Sequence, residues 1–384
     1  MQTKMRWMLV LLGSILLWAC STTIVQAEDR DRETELVEDF LDEDDMREIE
    51  ELLQDNLEQD DFSFRAYVMD LVSGKEPFSI LDIGKTIKKA IYAEWEENVH
   101  VWKQCFFLAF FIGFFANFST LFRQGQVGDT GSYVGYLFLF STLVGVFSGL
   151  FLFSRQLINL IVQFMKVLLP VYFMMTAASN GQIAASGGYH VALLVITIAD
   201  MVLKNILLPT IEIYFFVVLI DQLSKEDKLS KLQELLENGL NWTMKGLVGV
   251  VTGMNVIQGL LLPAVQRVKQ NIWLKTGQAI PVVGNVLSGA AETVLSVACL
   301  LRNAVGVAGV VGLLILCAIP LLKIGMYVIV FRVEAAVLQP LGAERLCDCF
   351  VKVSKTAGFL FRLELVTMLL FAITVLLLSV SMGG

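Results

Sequence analysis

Histidine and proline are scarce. The 384 residues hold two histidines, His100 and His190, and seven prolines. Two histidines leave a metal centre few ligands, and His190, beside Gly187-Gly188-Tyr189, reads as a residue at the edge of an apolar run. Charge is also thin. Charged residues make up 17% of the chain and hydrophobic ones 56%, where an ordinary soluble protein has about 25% and about 45–50%. This balance excludes a soluble domain and points to an all-α, polytopic integral membrane protein. The six cysteines form no disulfide framework. Cys20 falls in a leader, Cys105, Cys299 and Cys317 lie within or beside apolar runs, and Cys347-Asp348-Cys349 is too tight for a CxxC redox or zinc motif. The chain has no Walker loop, HExxH, GxSxG elbow or Rossmann glycine fingerprint. No enzyme, no cofactor, no metal and no nucleic-acid partner is expected.

What is present begins with a leader. Lys4 and Arg6 precede a short apolar core from Trp7 to Ala19, and Val25-Gln26-Ala27 suits a signal peptidase, so residues 1–27 read as a secretory signal peptide. An uncleaved first helix and a lipoprotein signal ending at Cys20 are the alternatives. Residues 28–103 then form an extracytoplasmic region. Its acidic part, Glu28 to Asp61, carries a partial helical stripe (Leu36, Phe40, Ile49, Leu52, Leu53, Leu57) and is expected to be a solvated, partly disordered spacer, with a docking arm as the alternative. Gly74 to Pro77 is a turn. Ile80 to Trp102 reads as an amphipathic surface helix with Ile83, Ile87, Ile91, Trp95 and Val99 on its apolar face.

Residues 104–384 form the transmembrane domain. Eight spans are expected, near 105–122, 133–153, 157–178, 190–220, 243–263, 279–300, 304–331 and 359–380, and a total of six to eight fits the composition. The spans at 190–220 and 304–331 each contain a proline and a charge and are expected to be kinked or broken. With the amino terminus outside, eight spans place Gln266 to Lys275, Arg332, Arg345, Lys352 and Lys355 in the cytoplasm, following the positive-inside rule. Asp221 to Asn241 then lies outside.

The stretch from Thr276 to Gly325 organises this domain. It holds two apolar runs separated at Arg302-Asn303, and its prolines recur. Pro281 and Pro320 lie 39 residues apart, as do Pro170 and Pro209, and one shift of 111 residues superposes both pairs. An inverted repeat with halves 132–241 and 243–352 is the expectation, with coincidence as the alternative. Each half is followed by an amphipathic segment, 225–240 and 346–357. Glycine motifs (Gly131-x3-Gly135, Gly145-x3-Gly149, Gly249-x3-Gly253, and Gly306, Gly309 and Gly312) point to tight helix packing.

Charges inside apolar runs are the residues singled out: Lys166, Asp200, Lys204, Glu212, Lys245, Glu292 and Lys323. They usually face protein or water because hydrocarbon penalises them. Asp200 and Lys204 are four apart and can pair on one helix face. Glu212 and Lys323 superpose on the shift and are expected to approach each other. Asp200, Lys204, Glu212 and Lys323 are therefore the candidate intramembrane polar or helix-pairing residues. They read either as a polar path or clamp, or as structural pairing.

The segments PVVG, LSGAAETV, RNAVGVAGVVGLL and CAIPLLKI between Ile280 and Ile324, with Val337-Leu338-Gln339-Pro340-Leu341-Gly342, resemble the stage III sporulation protein AE family. The order of leader, extracytoplasmic region and polytopic domain is similar too. The resemblance spans roughly residues 70–384 and implies no catalytic residue. It implies a membrane-embedded subunit of the channel, feeding-tube or secretion-like complex between mother cell and forespore. The partners implied are the other stage III sporulation A proteins and forespore stage II sporulation protein Q, in the mother-cell membrane engulfing the forespore. A self-sufficient secondary transporter and a non-conducting scaffold are the alternatives from the residues alone.

Overall fold

The computed structural model describes residues 43–56, 63–72, 80–119, 125–180, 182–223, 229–277, 284–341 and 344–381. The leader with Cys20, the Gly74–Pro77 turn and Pro281 lie outside these residues. Among the described residues every element is helical: α1 (Glu43–Asn56), α2 (Phe64–Val72), α3 (Ile80–Ser119), α4 (Gly125–Asn180), α5 (Gln182–Val202), α6 (Leu208–Leu223), α7 (Ser230–Gly277), α8 (Gly284–Leu338) and α9 (Glu344–Ser381). A π turn, Leu203–Leu207, joins α5 to α6, and a 3-10 turn, Gln339–Leu341, ends α8. Helices satisfy their own backbone groups, which hydrocarbon requires.

Among the described residues four stretches are long and apolar enough to cross a membrane: Tyr133–Ser179, Ala185–Gln222, Leu295–Leu338 and Glu344–Ser379. This corrects the expected spacing. The spans at 133–153 and 157–178 are one helix, and so, from Gly284 on, are those at 279–300 and 304–331. Arg155, Arg302 and Asn303 keep the i→i−4 ladder intact, because a polar side chain needs a partner rather than a break. Arg302, 1% exposed, donates to Ser179 Oγ and Asn303 Oδ1, each at 3.4 Å. At 56 residues, α4 is about 84 Å long, well beyond the ~30 Å hydrocarbon layer.

The prolines behave differently from one another. Pro170 and Pro320 sit inside α4 and α8. Pro209 follows the π turn, where the Leu208 N–H donates to the Leu203 carbonyl. A proline ring crowds the carbonyl four residues back, and a widened turn just before it relieves that contact. The interruption expected in 190–220 is therefore present. At Pro320 the helix continues, so the two matched prolines differ locally.

α4 and α8 run antiparallel at close range. Tyr172 lies against Gly306, Leu168 against Gly309 and Phe164 against Gly312. A Cβ on Gly309 would stand 2.5 Å from Leu168 Cδ2. Gly309→Leu should therefore push the two helices apart and cost about 1–3 kcal/mol by overpacking. Unfolding in mixed detergent micelles reads this, and an unchanged midpoint would show that the contact is loose. Gly135 meets Ile112 in the same way, whereas a Cβ on Gly131, Gly145, Gly149, Gly249 or Gly253 would meet nothing within 4 Å. Among the described residues, nothing packs against the Cβ position of these five.

The amphipathic segments take different places. In the acidic arm, α1 docks on α2, α4 and α8 with Met46, Ile49, Leu52 and Leu53 buried, so 43–56 is a packed helix and not a solvated spacer. Its apolar stripe has a groove to fill, and its charges stay outside. In α3 the buried side is Asn98, Trp102 and Cys105, while Ile91 and Trp95 are exposed. The polar side turns inward because it has partners there. Residues 230–240 open α7, with Leu240 buried but Leu232 and Leu235 exposed, and 346–357 lies in the first part of α9, with Leu346, Val353 and Ala357 buried.

Candidate functional site

A belt of polar side chains crosses the bundle partway along its length. It begins with aromatic packing, in which Phe147 of α4 stacks on Phe215 of α6 at 4.1 Å and lies 5.8 Å from Phe331 of α8. Two turns further along α4, the apolar sequence gives way to Ser154-Arg155.

α3 and α8 are joined first. Lys323 Nζ lies 3.1 Å from Glu94 Oε2, 3.8 Å from Glu97 and 5.2 Å from the centre of the Phe153 ring. Asn98 Nδ2 donates to Glu94 Oε2 at 3.0 Å, and the Tyr327 hydroxyl donates to Asn98 Oδ1 at 2.7 Å. Trp102 meets Tyr327 edge-on. The spacing of four in 94, 98, 102 and in 323, 327 places each set on one helix face.

α6, α7 and α9 form the second part. The Asp221 carboxylate, with no exposed side-chain surface, accepts from the Leu229 N–H at 3.1 Å, Gln233 Nε2 at 2.8 Å and Lys352 Nζ at 3.3 Å. It therefore holds an orphan amide at the start of α7, where the helix dipole favours an anion. Glu237 accepts from the Tyr214 hydroxyl at 2.8 Å and from Lys355. Arg362 donates to Asn241 Oδ1 at 3.2 Å and lies over the Phe359 ring, and Asn255 donates to Thr374 further along.

Two more carboxyls are deep in the belt. Glu364 is 1% and Glu334 4% exposed. Neither Glu364 oxygen has a hydrogen-bond partner among the described residues, nor has Glu334 Oε2. Ser154, fully buried, lies beside Glu364 without hydrogen-bond geometry.

Each candidate residue has a place. Asp200 and Lys204 pair at 2.5 Å where α5 enters the π turn. Glu212 and Lys323 do not pair with each other. Glu212 lies 3.9 Å from Arg155, and Lys323 is held by Glu94 and Glu97. Coincidence under a sequence shift carries no information on distance from a symmetry axis, and nearer partners take both charges. The Asp221–Lys352 and Glu237–Lys355 pairs also correct the expected topology, which put 221–241 and 352–355 on opposite sides. They lie at one level. Merging the two runs of α8 into one helix removes one crossing between them and restores this.

Arg362 and Glu364 stand inside the apolar run 359–380 and were legible as intramembrane charges, yet they were not singled out. Glu94, Asp221 and Glu237 lie in stretches whose composition reads as loop or surface, so only the fold draws them in.

Among the described residues, helices alone, four of the stretches long and apolar enough to cross a membrane, with a polar belt between them, mark a membrane protein whose interior carries charge. A family model described as stage III sporulation protein AE (spore_III_AE) matches residues 62–382, and the chain belongs to that family. The stage III sporulation protein AE of Bacillus subtilis (strain 168) is 24% identical over 314 residues, covering 80% of this chain and 78% of that relative. No solved structure matches.

Proposed function

We propose that this chain is a membrane-embedded, non-enzymatic subunit of a channel complex between mother cell and forespore, required for endospore development. Family membership over residues 62–382 carries the reading, because it assigns the chain to sporulation. The ion-paired belt supports it, since charges in membrane helices face protein or water and mark paths or assembly contacts. The proposed partners are the other stage III sporulation A proteins and the forespore stage II sporulation protein Q complex. The proposed location is the mother-cell membrane around the forespore.

The topology belongs to the same proposal. A further crossing by the middle of α7 joins the four long apolar stretches, while the second half of α3 packs on the start of α4 at the Leu338 end of the bundle. The connections after Leu223 and Leu338 then face the cytoplasm with Lys352 and Lys355. The segment 266–275 moves to the outer side. Helix ends at Leu223 and Leu338 are 115 residues apart, close to the shift of 111 read from the prolines, which supports the duplication.

Deletion of the gene in its spore-forming host should leave vegetative growth intact and block spore maturation. A fluorescent fusion should outline the engulfed forespore. Normal spore yield, or expression throughout vegetative growth, would overturn the reading. Solute flux by the purified chain alone would favour a self-sufficient transporter.

A further inference from the structure

One level of the bundle carries two different outer surfaces. The level is fixed by Gly312 of α8, which faces Phe164 of α4 and Leu53 of α1. The contacts of Gly325 with Phe361 and of Gly306 with Ser379 set α9 antiparallel to α8 and bring Thr374, with its partner Asn255 of α7, to the same level. Along α4, the α5–α6 segment runs from the Phe173–Tyr189 contact to the Arg155–Glu212 pair, so Ile198 lies near it too.

On one side of this level the surface is apolar. α5 exposes Leu194, Ile198 and Met201, and α7 exposes Val250, Val256 and Ile257 at 65%, 45% and 53%. The exposed α7 positions from Gly246 to Ile257 are glycine or aliphatic, with no charge among them.

The other side is polar at the same level. α4 exposes Gln156, Asn159, Gln163 and Lys166, at i, i+3, i+7 and i+10, which is one continuous stripe on the helix. This stripe lies inside Tyr133–Ser179, a stretch apolar enough to cross a membrane. Beside it α1 covers Phe164 and Gly312 and turns Arg47, Glu48, Glu51 and Gln54 outward, with Arg47 donating to Glu51 at 2.8 Å. Lipid accommodates the α5–α7 surface without cost. Amides and charges at equal depth cost several kcal/mol against hydrocarbon, so the second surface requires water.

We propose that the outer face of α1 and the Gln156–Lys166 stripe of α4 line a water-filled passage at bilayer depth, walled by further copies of this chain. The proposal rests on the membrane-channel reading above and adds which face is wet. A subunit with lipid on one side and water on the other closes by repetition about an axis into a ring, with every wet face inside. The acidic helix is then part of the lining of the passage, and hydrated solutes are what such a lining admits.

The test uses the full-length chain without native cysteines, in vesicles of phosphatidylcholine and phosphatidylglycerol. Single cysteines are placed by Glu51→Cys, Asn159→Cys, Gln163→Cys, Ile198→Cys and Val250→Cys, all at exposed positions. A charged, water-soluble maleimide should label the first three at least about ten-fold faster than the last two, which hydrocarbon shields. Fluorophores on Ile198→Cys and Val250→Cys should be quenched by brominated lipid, and those on the other three should not. Equal labelling at all five would place this level outside the bilayer and overturn the proposal, as would lipid quenching at Gln163→Cys and Glu51→Cys. Light scattering in mild detergent should give a particle of several chains, and a single chain would overturn the ring. Spore yield is not read in this experiment, so a failed sporulation role and a dry α1 face remain separate results.

Discussion

Asp221→Ala should be among the most damaging single substitutions in the described bundle, costing about 3–5 kcal/mol. The carboxylate is fully enclosed and is shared by three donors from α7 and α9. Removing it leaves Lys352 beside an uncompensated space, takes the acceptor from Gln233 and frees an orphan amide at the start of α7. Each loss adds to the next, because a buried polar group without a partner is penalised by its full desolvation cost. Asp221→Asn should be milder, since the amide oxygen still accepts from one or two donors while the charge is lost. The control is Lys231→Ala. Its pair with Glu234 is exposed, with 93% and 62% of the side-chain surfaces open, and an exposed helix pair contributes about 0.3–0.5 kcal/mol. Unfolding free energies in mixed micelles separate the two cases. Equal small losses would show that Asp221 does not tie α6 to α7 and α9.

Much of the architecture was legible in the chain. The apolar fraction defines the class, and the spacing of Asp200 and Lys204 gives their pair. The proline with a nearby charge in 190–220 foretells the interruption that appears as a π turn, whereas the same pattern at Pro320 and Lys323 leaves α8 unbroken. Other features could not be read because they depend on long-range partners. Arg302 looks like the end of a span, yet it is buried and bonded inside one long helix. Hydropathy windows register only average polarity, and the backbone ladder is indifferent to an arginine whose side chain finds a partner. The inward face of α3 could not be read for the same reason. The apolar stripe with Ile91 and Trp95 stays exposed, while Lys323 and Tyr327 on α8 draw Glu94 and Asn98 inward. In lipid the apolar face of a helix gains little by turning inward, so polar pairing decides the orientation. The acidic arm illustrates the opposite case, where a short apolar stripe outweighs the high charge around it because a groove over Gly312 admits Leu53.

The same α3–α8 contact gives the second large effect, and its asymmetry is the informative part. Lys323→Ala should cost about 3 kcal/mol, because it removes the cation of a largely buried pair and leaves Glu94 with Asn98 alone. Glu94→Ala should cost less, since Glu97 remains 3.8 Å from the lysine and the Phe153 ring still lies under it. The exchange Glu94→Lys with Lys323→Glu should recover part of the loss. It cannot recover all of it. Asn98 Nδ2 now donates to Glu94 and would face an ammonium instead, and Glu97 would face a carboxylate at 323. The Tyr327–Asn98 bond should survive the exchange, because Asn98 Oδ1 is not involved in the pair. A double-mutant cycle on unfolding in mixed micelles yields the coupling directly. Coupling near zero, or equal losses from the two alanine variants, would show that Lys323 is held by something other than Glu94. A matching cycle on Glu212 and Lys323 should show no coupling, since those two charges have separate partners.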